Sequence, residues 1–147
     1  MTTDSLHKLD DFFRSYERRF NDFLSGKKLD AEGTVKSFAK FFVEASPLGV
    51  NGRGNDEDFR QAIEKGYAFY KSIGTRSMTI AGNDITLLDD YHAMARIHWR
   101  SVYDKNNREI VIEFDVLYLV QTINNESKIF AYITGDEQKV LKENGLI

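Results

Sequence analysis

The sequence predicts an α+β fold in which helices and antiparallel strands are segregated along the chain. Three observations carry this prediction. Apolar side chains recur at helical spacing through the first 74 residues. From Tyr91 to Ile133 the chain is rich in β-branched and aromatic residues that alternate with polar ones. Two polar, asparagine-containing turns, Asp104-Lys105-Asn106-Asn107 and Asn124-Asn125-Glu126-Ser127, divide that stretch into three runs. Three runs joined by two short turns make an antiparallel meander, with the helices packed on one face of a curved sheet.

The elements follow in order. Leu6, Leu9, Phe13, Tyr16, Phe20 and Phe23 fall at spacings of three and four, one stripe of a helix over residues 4–24. Thr3 or Asp4 is placed to cap its start, and Gly26 to end it. A second helix is predicted from Asp30 to about Phe42, with Ala31, Val35, Phe38 and Phe42 on one face; Gly33 weakens it by roughly 1 kcal/mol relative to Ala. Val43–Gly54 carries the only proline and three glycines, so it reads as a mobile loop with a short extended piece before Pro47. Gly49, Gly52 and Gly54 lack the Gly-Lys-Ser/Thr ending of a phosphate cradle. A third helix opens at Asn55–Asp58, buries Phe59, Ala62, Ile63, Gly66, Tyr70 and Ile73, and stops at Gly74. Residues 75–88 read as a strand with an irregularity at Gly82-Asn83. Gly135–Gly145 closes the chain as a short helix.

Composition narrows the function classes. At 147 residues, with 11 Phe and 7 Tyr, the chain predicts one domain over 1–147 with an aromatic-rich core. Zero cysteines exclude disulfides, thiolate metal sites and cysteine nucleophiles. A net charge of −3 lacks the basic excess of a nucleic-acid partner. The cluster Arg14, Arg18, Arg19, Lys27 and Lys28 reads as a solvated helix face. With neither an apolar leader nor a membrane-length run, the chain predicts a cytoplasmic protein without a membrane partner. No cofactor fingerprint appears. His92 and His98, six residues apart and about 20 Å along a strand, cannot chelate one metal, so no metal site is expected.

Face parity adds detail. In the strand from Tyr91 the odd positions, including Ala95, Ile97, Trp99 and Tyr103, should face the helices. The even positions, His92 to Val102, should face outward. In the next strand Ile110, Ile112, Phe114, Val116, Tyr118 and Val120 form one apolar side. The other side carries Glu109, Glu113 and Asp115, then turns apolar at Leu117 and Leu119. A strand apolar on both sides is covered on both sides. We expect the second cover to be another copy of the chain, through a sheet-to-sheet homodimer; the C-terminal segment is the alternative.

The element order resembles the nuclear transport factor 2-like superfamily, which includes ketosteroid isomerase, scytalone dehydratase and the cyclase SnoaL. Phe20-Asn-Asp-Phe-Leu-Ser-Gly26, Val43-Glu-Ala-Ser-Pro-Leu-Gly49, Phe114-Asp115 and the closing Tyr132–Leu146 carry the likeness. The resemblance implies a cone-shaped curved antiparallel sheet, three N-terminal helices on its concave face, a short C-terminal helix and a deep, mainly apolar pocket. Against ketosteroid isomerase, Tyr16 is the nearest match to the hydroxyl donor, Ser46 stands where the base would be with Glu44 beside it, and Asp115 matches the acid on the sheet.

Three functions follow as expectations. The first is binding of a small apolar or aromatic molecule by Tyr16, Phe20, Phe42, Tyr70, Trp99, Asp115 and Leu117. The second is a cofactor-independent isomerase, cyclase or dehydratase using Asp115 as acid or base and Tyr16 as donor; a His98–Asp115 pair across strands belongs to this reading. The third is a protein-interaction module using the apolar face of Glu109–Val120.

Overall fold

A computed structural model describes residues 3–147. The elements run α1 (Thr3–Leu24), α2 (Ala31–Lys36), β1 (Phe38–Ser46), β2 (Gly49–Gly54), α3 (Glu57–Ser72), β3 (Thr75–Leu87), β4 (His92–Lys105), β5 (Arg108–Ile123), β6 (Glu126–Ile133) and α4 (Glu137–Glu143). The strands form one sheet in the order β2-β1-β6-β5-β4-β3. Neighbours are antiparallel except β1 and β6, which run parallel.

The meander is set by its turns. Lys105 pairs with Arg108 and Ile123 with Glu126, leaving two-residue loops. Asn106, Asn107, Asn124 and Asn125 all have positive φ, from 53° to 62°. Two successive left-handed residues make the mirror-image turn whose twist matches that of the flanking strands, and asparagine tolerates that conformation well. β4 and β5 then pair without a break from His92↔Gln121 to Lys105↔Arg108, so side-chain alternation is strict along both. Ala93, Ala95, Ile97, Trp99, Ser101 and Tyr103 are buried on the inner face, opposite Ile112, Val116, Tyr118 and Val120.

Two predicted elements are corrected. The second helix stops at Lys36, and Phe38 and Phe42 belong to β1. A spacing of four fits one helix face, but it also fits two strand steps, so both phenylalanines remain inside either way. The predicted loop over 43–54 is a hairpin: β1 turns at Pro47-Leu48 and returns as the edge strand β2, with Ser46 opposite Gly49. Thr3 and Asp4, expected at the cap of α1, lie within its first turn. The predicted irregularity in β3 is a register shift between Ile80 and Gly82.

Gly33 has a specific reason to be glycine. A Cβ there would lie 2.5 Å from the Asp30 carboxylate and 2.6 Å from Cδ of Arg19. Asp30 caps α2 through the Gly33 N–H. Arg19, expected on a solvated face, turns inward and donates to the hydroxyls of Thr34 (3.3 Å) and Ser37 (2.8 Å).

α1 lies across the concave face with Leu9, Phe13 and Phe20 buried. It also finishes the free edge of the sheet. The Asn21 side chain donates to the Met78 carbonyl (2.6 Å) and accepts from the Met78 N–H (2.8 Å), while Glu17 accepts from the Ile80 N–H (2.5 Å). Edge strands expose unpaired backbone groups, and covering them with a helix is one remedy. Replacing Asn21 by Ala leaves both Met78 groups without these partners. We expect Asn21→Ala to lower unfolding free energy by about 1–3 kcal/mol, read from the midpoint of a urea titration; an unchanged midpoint would show that water replaces the asparagine at no cost.

Candidate functional site

Between the helices and the concave sheet lies a cavity of about 350 Å³. Its wall is aromatic because the inner face of the sheet and the buried stripes of α1 and α3 all present rings. Tyr16 and Phe20 come from α1, Phe59, Tyr67 and Tyr70 from α3, and Trp99, Tyr118 and Tyr132 from the sheet. The rings meet edge to face or tilted, with centroids 4.9 Å apart for Phe20–Tyr67 and 6.3 Å for Tyr16–Trp99, a spacing that suits the aromatic quadrupole.

The polar groups in this wall are few and differently engaged. Trp99 Nε1 donates to the Tyr118 hydroxyl at 3.2 Å. Tyr118 therefore spends an acceptor site on tryptophan, and its own proton has no acceptor among the described residues. The Tyr16 hydroxyl likewise has no hydrogen-bond partner among them. Tyr67 and Thr34 share a bond of 3.1 Å. Tyr132 donates to Glu44 at 2.8 Å, and Arg53 approaches the same carboxylate oxygen at 3.4 Å while lying over the Phe59 ring. Tyr70 donates to the Glu137 carboxylate at the foot of α4.

Burial dictates the ionisation of these groups. It pushes the Tyr16 hydroxyl well above its ordinary value; Tyr118, Tyr67 and Tyr132 add to the rise, and Arg19 opposes it. Burial also raises Tyr118 against the lowering effect of the Trp99 bond. Tyr132 is raised by burial and then by its bond to Glu44. All three are neutral hydroxyls at physiological pH, hence donors. Desolvation also raises the Glu137 carboxyl.

Four residues of the predicted pocket, Tyr16, Phe20, Tyr70 and Trp99, line this cavity. Three do not. Phe42 packs beside it in the core, its centroid 4.8 Å from those of Phe38 and Phe59. Asp115 and Leu117 occupy the odd positions of β5 and point to the outer face, because the unbroken β4–β5 register leaves no bulge to turn them inward. Asp115 is thus neither a cavity carboxylate nor placed to act there as acid or base. Two carboxylates were missed at the cavity, Glu137 from α4 and, on β1, Glu44. The signal for Glu44 was parity with Phe42, two residues earlier on the same strand face.

On the outer face His98 sits directly opposite Asp115. Its Nδ1 meets Asp115 at 2.6 Å and its Nε2 meets Glu113 at 3.2 Å, with Arg96 Nη1 3.8 Å from Asp115. The expected His–Asp pair forms, but outside the cavity. No cluster among the described residues brings together three side chains able to hold a metal ion.

The cone of six strands closed by helices defines the nuclear transport factor 2-like, cystatin-like class. An NTF-2 like protein of unknown function from Shewanella oneidensis superposes with a TM-score of 0.66 at 16% identity, covering 90% of this chain and 99% of that one. An NTF2-like protein with a cystatin-like fold from Novosphingobium aromaticivorans gives 0.70 at 11% identity, covering 98% and 89%. A ketosteroid isomerase-like protein from Erwinia carotovora gives 0.63 at 12%, covering 91% and 97%. At these identities the likeness is one of fold. Residues 7–137 match the family described as NTF2-like protein (DUF6841), and the chain belongs to that family. No protein of curated function matches the sequence. Among the described residues no helix is long and apolar enough to cross a membrane.

The two carboxylates raise the pKa of His98, Asp115 contributing more than Glu113. A raised folded-state value means that the stabilisation is fully present below about 6.5, the unfolded value, and is lost as pH rises through the folded value. In an NMR titration we expect the His98 ring to titrate above 6.5, and Asp115→Asn to lower it further than Glu113→Gln does. Equal effects of the two substitutions would refute this ordering.

Proposed function

We propose that the chain binds a small, largely aromatic or apolar molecule in the cavity, oriented through an oxygen acceptor on the ligand. One observation carries this reading: an aromatic cavity in which the hydroxyl protons of Tyr16 and Tyr118 have no acceptor among the described residues. Ligand sites in general are apolar concavities of about 300–1,000 Å³ with a few placed polar groups. A carbonyl, ether or neutral phenol oxygen on the ligand would accept from both hydroxyls. Trp99, the only tryptophan, borders the cavity and serves as the reporter.

The first experiment is a native mass spectrum of the purified protein followed by a denaturing one, then titration with naphthyl methyl ketone monitored by Trp99 fluorescence. We expect saturable quenching, weakened roughly two- to tenfold by Tyr118→Phe. Absence of saturation with this ketone and with naphthol, together with a native mass that is a whole multiple of the denatured-chain mass, would end the reading. The native mass also reports the assembly. The outer face is apolar at its β2-β1-β6 side, where Phe41, Val43, Val50 and Ile133 are 72%, 40%, 71% and 50% exposed, and ion-paired at its β5-β4 side. Stacking two copies on that face would bury apolar against apolar, so we propose a homodimer. A monomer would favour a protein-interaction role for the same face.

A second reading rests on Glu44. It is a carboxylate on the cavity wall, held by Tyr132 and Arg53, in a site with two hydroxyl donors. That set fits proton transfer beside a carbonyl without a cofactor: Glu44 takes the proton from the α-carbon, the C–H electrons move into an enolate, and the hydroxyls hold its oxygen. In deuterated water the wild type should then exchange the α-protons of the bound ketone, and Glu44→Gln should abolish exchange while binding remains. Exchange at the uncatalysed rate with bound ketone would leave a binding protein.

A further inference from the structure

A second space of about 90 Å³ lies between α4 and the sheet. It is bounded by Tyr103 and Ile112 from the sheet and by Val140 and Leu141 from α4, and Gly135 and Asp136 border it. Five residues, Tyr70, Met78, Phe114, Thr134 and Glu137, belong to its wall and to that of the main cavity as well. The two spaces are therefore neighbours across one partition, and the Tyr70–Glu137 hydrogen bond is the polar contact in that partition.

We infer that the space under α4 is a second subsite of the same cavity, and that it takes a short apolar extension of the ligand whose ring and oxygen occupy the main cavity. This rests on the binding reading above and narrows its ligand to a molecule of two parts. Size supports the assignment. An apolar cavity of about 150 Å³ accommodates a benzene ring; the main cavity is more than twice that, and the annex is too small for a ring but suited to a few carbons. Chemistry supports it as well. Beyond the partition the lining is mainly apolar, from Tyr103, Ile112, Val140 and Leu141, and its two acidic residues are engaged elsewhere, Glu113 with His98 and Asp136 with the Lys139 N–H. Tyr70 and Glu137 satisfy each other, so the partition between annex and cavity presents no unmatched polar group to the ligand. α4 is a single short helix, anchored by buried Leu141 and, just beyond its end, Leu146, and by Lys105 Nζ on the Gly145 carbonyl at 2.6 Å. Val140, only partly buried, faces the annex and does not line the main cavity.

The test is the affinity of the full chain for naphthyl alkyl ketones from methyl to hexyl, read by Trp99 fluorescence. In the wild type affinity should rise about fourfold per added methylene and then level once the annex is full. Val140→Phe should flatten the rise while leaving the methyl ketone bound as in the wild type. Val140→Ala, which removes bulk and keeps the protein testable if the phenylalanine variant does not fold, should carry the rise at least one carbon further. If the methyl ketone binds but added carbons bring no gain, or if the rise is the same in the variants, the annex is not a subsite and the cavity reading stands alone. If none of the ketones binds, the cavity reading for this ligand class and the annex fall together.

Discussion

The edge of the sheet at β3 is the constraint on which the rest of the molecule depends. β3 has one hydrogen-bonded neighbour, β4, and its other side must find partners outside the sheet. α1 supplies them through Asn21 and Glu17, whose side chains bond to the backbone of Met78 and Ile80 much as a further strand would. The contact does more than protect an edge. It ties the C-terminal half of a 22-residue helix to the rim of the sheet, so the apolar stripe of that helix must lie over the concave face. Tyr16 and Phe20 are then held opposite Trp99 and Tyr118. The cavity exists because a helix fixed at the rim spans a curved floor, and rigid rings on both surfaces meet at their edges without filling the space between.

The other side of α1 is held by a different device. Arg19 leaves the helix surface and bonds to Thr34 and Ser37, a guanidinium matched by neutral oxygens near the point where α2 gives way to β1. Gly33 is what lets it approach. A residue costing about 1 kcal/mol in helix propensity thereby admits an interhelical contact that a methyl group would block. The positive charge also moderates the rise in the Tyr16 and Tyr67 hydroxyls, so the same residue links packing to the electrostatics of the cavity wall.

Much of this was readable from residue order, and the failures have definite causes. The paired asparagines specify two-residue turns, those turns specify register, and register with strict alternation places every side chain of β4 and β5 on its face. That reasoning had already put Asp115 on the odd, outward side. The opposite assignment came from its match to an acid in a related enzyme, and the unbroken pairing of His98 with Asp115 decides against it. Parity on the chain itself was the stronger argument. The misread segment, Phe38–Gly54, fails for another reason. Phenylalanines four apart satisfy helical and strand periods equally, and a glycine-rich edge strand has too few side chains to show alternation. Glu44 was hidden by the same error, since an inward position can only be assigned once the element is known to be a strand.

The resulting cavity is polarised by what is satisfied and what is not. Tyr132, Tyr70 and Tyr67 already have protein partners, and burial keeps their protons in place. Tyr118 is different: Trp99 occupies its oxygen as an acceptor, which orients the phenol and leaves the proton directed elsewhere. Tyr16 carries a raised hydroxyl with no partner among the described residues. A raised pKa in this setting reflects the difficulty of forming an anion in an apolar space, and it keeps both groups protonated across the physiological range. Two neutral donors in aromatic surroundings favour an acceptor oxygen on an apolar body. Transferred into a wall whose one ion pair, Glu44 with Arg53, is already matched, a charged ligand would lose hydration without gaining a free counterion there. The selectivity of the site therefore follows from its hydrogen-bond inventory more than from its shape.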